Sequence, residues 1–215
     1  MRVTLFLACA LALLCTATAS AQDGRGKPVR PAPPAPRWPD GTINLGAVPG
    51  QAGLWEGAEP LATNPKNYET VSGRPRPGLV DLDLVPLQPW AKALLDERHA
   101  RFLADEPYTR CKPSPAARAF GTAYGVELLN IPGDRIYLFQ TGGAHSYRVI
   151  YMDGRTHPAT VSPSAFGHSI GWWEGDTLVI DTVAIDESAW VERWAMPHTS
   201  RLHTIERVTR LDFNT

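Results

Sequence analysis

The chain has 215 residues, of which 43% are hydrophobic and 20% are charged, and its formal net charge is −1. It contains neither a basic block nor an acidic tail, so the composition argues against a nucleic-acid-binding protein. The length suits one domain with extensions.

Residues 1–21 have the features of a secretory signal peptide. Arg2 supplies a positive charge, Leu5–Cys15 is an unbroken apolar run, and Ala19–Ala21 is an A-x-A cleavage pattern. The apolar run is too short to span a bilayer, which needs about 20 residues. We therefore expect cleavage before Gln22, export to the periplasm or the medium, and no stable membrane insertion of the mature chain.

The N-terminal part of the mature chain is predicted to be a linker followed by a loop-rich arm. Residues 22–41 are rich in proline, which lacks a backbone donor and favours extended chain, so they are predicted to be a linker. Residues 42–125 form the arm, with a predicted helix over about 89–104 that begins at Pro89 and stops before Pro107. The apolar stripe of this helix comprises Trp90, Leu94, Leu95, Phe102 and Leu103.

Residues 126–215 are predicted to form an antiparallel β domain, because short runs of β-branched and aromatic residues alternate with glycine-containing turns. The predicted strands are Val126–Ile131, Arg135–Gln140, Ser146–Met152, His168–Trp173, Thr177–Val183 and Leu202–Leu211. Strands joined by short turns form a meander, here either an open sheet or a lipocalin-like barrel. The strands are few for a closed barrel and the last one ends close to Thr215, so an open sheet and a C-terminally truncated chain are both compatible with the pattern.

Cys111 is the only cysteine that remains after Cys9 and Cys15 leave with the signal peptide. In an oxidising compartment a lone thiol is buried, bridges to another molecule, or has lost its partner. The sequence leaves these three alternatives open.

Four residues of the β domain are candidates for acid–base catalysis: His168, His203, Asp181 and Glu206. The two histidines lie at the starts of different strands and are predicted to meet at one end of the sheet. If either carboxylate faced a barrel interior, desolvation would raise its pKa and a neighbouring arginine would lower it. A His168–Glu206 or His203–Asp181 pair would then do general acid–base work on a small organic substrate. The alternative is that the carboxylates face solvent and the histidines bond local backbone.

Metal and nucleophilic chemistry have weaker support in the sequence. No HExxH, HxH or cysteine spacing typical of zinc sites occurs, so we predict no metal and no other cofactor, with a histidine-bound metal as the alternative. Gly167–Gly171 matches G-x-S-x-G, but it leads into a hairpin rather than a helix. We interpret this match as coincidental.

Aromatic residues are dense in the β domain, where their ordinary role is packing. Their functional alternative is to line a pocket for a small apolar molecule, as the mouths of β-barrels do. We therefore expect an exported β-rich domain that binds such a molecule, with the acid–base enzyme as the alternative. The candidate ligand-binding residues are Tyr147, Tyr151, Trp172, Trp173 and Trp190.

Three motifs together resemble the signature of a family of exported bacterial proteins of unknown function, MDGRPHP, GHSxGRWEGDTLVVDT and PHxxxLHxxERFRR. The motifs here are YMDGRTHP from Tyr151, FGHSIGWWEGDTLVIDT from Phe166 and PHTSRLHTIERVTRLD from Pro197. The resemblance runs from about Trp38 to the end of the chain and implies export. It also implies a continuation past the last strand that carries a disulfide partner for Cys111. The chain departs from the pattern at Trp172, where the family usually has arginine.

Overall fold

A computed structural model describes residues 32–51, 53–56, 69–71, 74–76, 85–121, 124–142, 145–190, 192 and 194–215. The predicted signal peptide and residues 22–31 of the predicted linker lie outside these described residues. In the described part of the chain, no helix combines the length and the apolar character that a membrane crossing requires.

The fold is mainly β, as predicted, and most of its strands build one sheet. In chain order the strands are β1 (Leu54–Trp55), β2 (Glu69–Val71), β3 (Arg74–Arg76), β4 (Val126–Ile131), β5 (Arg135–Gln140), β6 (Tyr147–Tyr151), β7 (His168–Glu174), β8 (Thr177–Val183) and β9 (Thr204–Thr209). Strands β1 and β4 to β9 form a seven-stranded sheet in chain order, curved into half a barrel. Strands β2 and β3 form a separate two-stranded sheet.

One strand pair differs from a purely antiparallel meander. Strands β6 and β7 run parallel, with Ile150 opposite Ser169, whereas the other neighbours in the sheet are antiparallel. A parallel pair needs a crossover of about a dozen residues or more, and residues 152–167 provide it. An isolated bridge between Ser164 and Ile185 joins this connection to the segment that follows β8.

The inner face of the half-barrel is filled by apolar side chains. Alternate strand residues point inward, and the N-terminal arm adds Ile43 and Leu45 to the same cluster. Burial of each such side chain stabilises the fold by roughly 1.5–3 kcal/mol, so the arm is an integral part of the core. The buried strand residues of this cluster are Val126, Leu128, Ile136, Leu138, Ile150, Leu178 and Ile180.

Arg210, which follows β9, ties the arm to the end of the sheet. Its guanidinium donates to the carbonyl oxygens of Asn44 at 2.6 Å and of Phe213 at 2.6 Å. It also lies over the Trp55 ring of β1, 4.7 Å from the ring centroid. Because β1 and β9 are the two outer strands of the sheet, Arg210 connects its two edges at this end.

The predicted helix is present, but it is shorter than expected. Helix α1 spans Pro89–Ala100, and it ends there because Phe102 and Leu103 both adopt positive φ, 53° and 56°. Leu95 packs against Trp190 and Ala195. Trp90 and Phe102, two members of the predicted apolar stripe, are 49% and 94% exposed.

Candidate functional site

Three histidines and one aspartate from four separate segments meet on the outer face of the sheet. His168 begins β7 and Asp181 lies in β8. The residue opposite His168 is Val183, two positions from Asp181, so both side chains project from the same face. His203 directly precedes β9, and His157 reaches this face from the β6–β7 connection.

Hydrogen bonds join the four side chains into one cluster. The Asp181 Oδ1 atom lies 2.6 Å from His203 Nε2 and 3.2 Å from His157 Nε2. On the far side of the His157 ring, its Nδ1 lies 2.7 Å from the Nδ1 of His168. A continuous chain therefore runs from Asp181 through His157 to His168, with His203 as a branch.

The hydrogen-bond partners along this row of side chains determine which ring nitrogens carry a proton. A carboxylate only accepts hydrogen bonds, so the Nε2 atoms of His157 and His203 carry hydrogen. The Nδ1 of a neutral His157 is then bare and accepts from Nδ1–H of His168. The Nε2 of His168 is consequently unprotonated, which is the form of a general base.

The environment of His168 favours the neutral form of its imidazole. Burial, together with the nearby His157 and Arg155, lowers the pKa of His168 below its ordinary value. Tyr151 stacks on the His168 ring with centroids 5.3 Å apart, and the Arg155 guanidinium lies 3.9 Å from the Tyr151 centroid. Arg155 is itself held by Asp153 at 2.5 Å, a contact that lowers the pKa of Asp153 to about 2.

Glu206, the fourth catalytic candidate, lies on the opposite side of the sheet. It pairs in register with the inward-facing Ile180, and its carboxylate accepts from Arg148 Nη2 at 2.6 Å. Arg148 is 1% exposed and also donates to the hydroxyls of Ser169 at 3.0 Å and Thr182 at 3.2 Å. The structure thus brings His168, Asp181 and His203 together and places Glu206 in a separate, buried ion pair.

The five aromatic candidates are spread over three regions. Tyr147, Tyr151 and Trp172 belong to the outer face, as their strand registers require. Trp173 faces inward and packs against the apolar core. Trp190 lies beside helix α1, so these residues do not share one lining in the described part of the chain.

Two residues of these clusters did not stand out in the sequence. His157 sits in an irregular connection with no periodic pattern, and its one signal is its place in the YMDGRTHP motif. Arg148 interrupts the apolar strand YRVIY, and a charge at an inward-facing strand position is the signal that predicts a buried ion pair.

The described residues hold no group of three or more histidine, cysteine, aspartate or glutamate side chains suited to a metal ion. In the histidine cluster the nitrogens point at each other and at Asp181 rather than at a shared vacant point. Cys111 is exposed, with a free thiol.

Comparison with known proteins found no matching family model, no matching curated protein and no matching solved structure. The family resemblance of the three motifs therefore stays a prediction. One fold hosts many functions, so the function has to be argued from the site.

Proposed function

We propose that the protein is an acid–base catalyst in which His168 is the general base. The observation that carries this proposal is the hydrogen-bonded chain from Asp181 through His157 to His168. When Nε2 of His168 takes a proton, its Nδ1–H bond to His157 strengthens, and Asp181 stabilises the positive charge through the intervening ring.

His203 supplies the second role of the proposed site. It is 54% exposed on its side chain and donates to the same Asp181 oxygen at 2.6 Å. In its protonated form it is the acid that returns a proton to the substrate. The proposed small organic substrate approaches from the exposed side of His203, and the reaction class is proton abstraction or base-assisted hydrolysis.

Hydrolysis of p-nitrophenyl acetate tests this proposal, because an activated imidazole accelerates it. We expect His168→Gln to lower the second-order rate constant by about 10²-fold or more, the scale of one general base. Asp181→Asn lowers it less, since His168 remains present. His145→Gln, a change at another exposed histidine, is the matched control and leaves the rate unchanged. Equal rates for wild type and His168→Gln would rule out His168 as the general base.

Binding of a small apolar molecule is the second candidate function, and an aromatic group on the outer face favours it. The rings of Tyr137, Phe139 and Tyr147 lie within 6.1 Å of one another, and Tyr147 is 54% exposed. Strand geometry puts Tyr147 about 13 Å from Tyr151 beside the histidine cluster, so one elongated molecule spans both.

Fluorescence of 8-anilinonaphthalene-1-sulfonate tests the second candidate. We expect wild type to enhance the emission of this probe with saturation, and Tyr147→Ala to remove most of the enhancement. Trp172→Ala is the control, since Trp172 is 40% exposed but lies on the neighbouring strand β7, outside the group of three rings. An enhancement that both variants retain would contradict binding at the aromatic group.

We also propose that the protein is exported, with residues 1–21 as its signal peptide. Support comes from Arg2, the apolar run and the A-x-A pattern at Ala19–Ala21. Expression of the full chain in a bacterial host, followed by fractionation and intact-mass measurement, tests this proposal. We expect mature chain beginning at Gln22 outside the cytoplasm, and an uncleaved cytoplasmic chain would contradict export.

A further inference from the structure

Apolar side chains lead away from His168 on the outer face of the sheet, along strand β6. Ile150 of β6 and Ser169 of β7 are paired and both buried on the inner side. The residues just before them, Val149 and His168, therefore lie side by side on the outer face. Val149 is half-buried, and neighbouring strands are about 4.8 Å apart. An apolar side chain thus adjoins the proposed general base.

The aromatic group on the outer face continues this apolar surface beyond Val149. Across the β5–β6 pair, Tyr137 lies opposite Val149 and Phe139 lies opposite Tyr147. The Tyr147 ring centroid is 5.7 Å from that of Tyr137 and 6.0 Å from that of Phe139. We call Val149, Tyr137, Phe139 and Tyr147 the apolar strip. It begins beside His168 and ends at Tyr147, which is 54% exposed.

The two ends of the apolar strip differ in polarity. At the histidine end, the Tyr151 ring stacks on His168 and lies 3.9 Å from the Arg155 guanidinium, so Tyr151 supports the base instead of extending the strip. None of the four side chains in the strip is a carboxylate or a cation. A molecule that fits both parts is amphipathic, with its reactive polar group at His168 and an uncharged apolar tail on the strip.

The dimensions of the strip determine the length of this tail. One strand spacing of about 4.8 Å separates His168 from Val149, and two strand residues of about 3.3 Å each separate Val149 from Tyr147. The diagonal from His168 to Tyr147 is therefore about 8 Å. With carbon–carbon bonds of about 1.5 Å, a zigzag chain of roughly eight carbons covers this distance. An acetyl group is too short to reach the aromatic rings.

We propose that the substrate of this site is a carboxylic ester whose uncharged acyl chain of roughly eight carbons lies on the apolar strip. This inference rests on the proposed function, in which His168 is the general base. An ester suits both parts of the site, because its carbonyl group reacts at the histidines and its acyl chain supplies the apolar surface. Removal of that chain from water on the strip strengthens the binding.

Hydrolysis of the ester consumes one water molecule. The Nε2 atom of His168 takes a proton from the water while the water oxygen forms a bond to the acyl carbon. The bond between the acyl carbon and the ester oxygen then breaks, and that oxygen takes a proton from protonated His203. The products are a carboxylic acid and an alcohol. Transfer of the proton from His168 to His203 through solvent restores both starting forms.

Comparison of p-nitrophenyl octanoate with p-nitrophenyl acetate tests the chain preference. We expect kcat/KM for the octanoate to exceed that for the acetate by roughly 10- to 100-fold, after each is divided by the rate constant with free imidazole. Tyr147→Ala lowers this ratio by roughly 3- to 10-fold, because the far end of the chain loses its contact. Trp90→Ala is the matched control and keeps the ratio, since Trp90 is 49% exposed but lies on helix α1.

Titration with octanamide, followed by the NMR methyl resonances of Val149, gives a readout that needs no catalysis. We expect saturable shifts in wild type and weaker binding in Tyr147→Ala. Absence of shifts at about 1 mM octanamide, the weak end of specific affinities, overturns the strip. A His168-dependent acetate reaction without preference for octanoate also overturns the strip alone. Ester hydrolysis that His168→Gln leaves unchanged overturns the general base and this inference with it.

Discussion

The contact between His157 and His168 limits the number of protons that their two facing Nδ1 atoms carry. Their Nδ1 atoms are 2.7 Å apart, a distance that holds one shared proton and excludes two facing N–H groups. The neutral pair is therefore compatible with the observed cluster, and the pair with a proton on both Nδ1 atoms is not. Acidification should separate the two rings and loosen the connection that carries His157.

The lowered pKa of His168 predicts a pH-dependent stability. Between about pH 6.5, the ordinary value for unfolded chain, and the lower folded-state value, the unfolded state binds more protons. The free energy of unfolding contributed by the neutral His168 is complete above pH 6.5 and is lost as the pH falls through this window. Urea denaturation at several pH values should show this loss, and His168→Gln should reduce its slope.

His145→Gln is the matched control for this titration, because His145 is exposed. It should keep the slope of wild type. An unchanged slope in His168→Gln would mean that other groups carry the pH dependence.

The buried ion pair between Arg148 and Glu206 predicts a large asymmetry between single and double variants. Arg148→Met leaves the carboxylate of Glu206, 11% exposed, without its partner, and we expect a loss of about 3–5 kcal/mol in the free energy of unfolding. Arg148→Met combined with Glu206→Gln should recover a large part of this loss. Urea denaturation measures all three variants.

Arg207→Met serves as the control for the ion pair, since Arg207 and Glu174 are 56% and 49% exposed on their side chains. Exposed pairs contribute little, so we expect little change. If Arg148→Met were equally mild, the buried pair would not support the inner face of the sheet.

At the scale of elements, Gly167 determines the backbone conformation with which the chain enters β7. It has φ of 65°, and a Cβ there would collide with the carbonyl oxygen of Val183. We expect Gly167→Ala to destabilise the fold by roughly 1–3 kcal/mol more than Gly154→Ala. Gly154 also has positive φ, 78°, but a Cβ there meets open space, so its variant measures backbone strain alone.

Thermal and urea unfolding of the two variants provide the comparison. The Gly167→Ala variant should also lose the p-nitrophenyl acetate reaction proposed for the site, because the next residue is His168. Equal stability of the two variants would show that the β7 entry adapts to a side chain.

The strands were predictable because the alternation of side chains between the two faces of a strand is a local property of the sequence. The predicted and observed bounds agree within one residue for β4 to β8, and the predicted β9 is two residues longer at each end than the observed strand. The end of α1 was not predictable from apolar spacing. Phe102 continues the stripe but turns to solvent because its backbone leaves the helix.

At the scale of the whole molecule, the packing of the N-terminal arm into the core predicts that the arm and the β domain unfold together in one cooperative transition. Ile43 is 2% exposed within the core cluster, so Ile43→Ala should cost about 2–5 kcal/mol and lower one cooperative transition. Leu54→Ala, at a residue 43% exposed, is the control and should cost much less. Differential scanning calorimetry measures both, and a separate early transition for the arm would contradict an integral role.

The sequence by itself determined which segments are strands and which of their residues share a face, because side-chain direction alternates along a strand whatever its neighbours are. It also identified His168, Asp181 and His203 as candidates. Only the tertiary structure decided that β6 and β7 are parallel, that Glu206 faces Arg148 across the sheet from Asp181, and that His157 joins the cluster. These contacts depend on where a long connection returns to the sheet and on which face the arm covers, and neither is encoded in a local pattern.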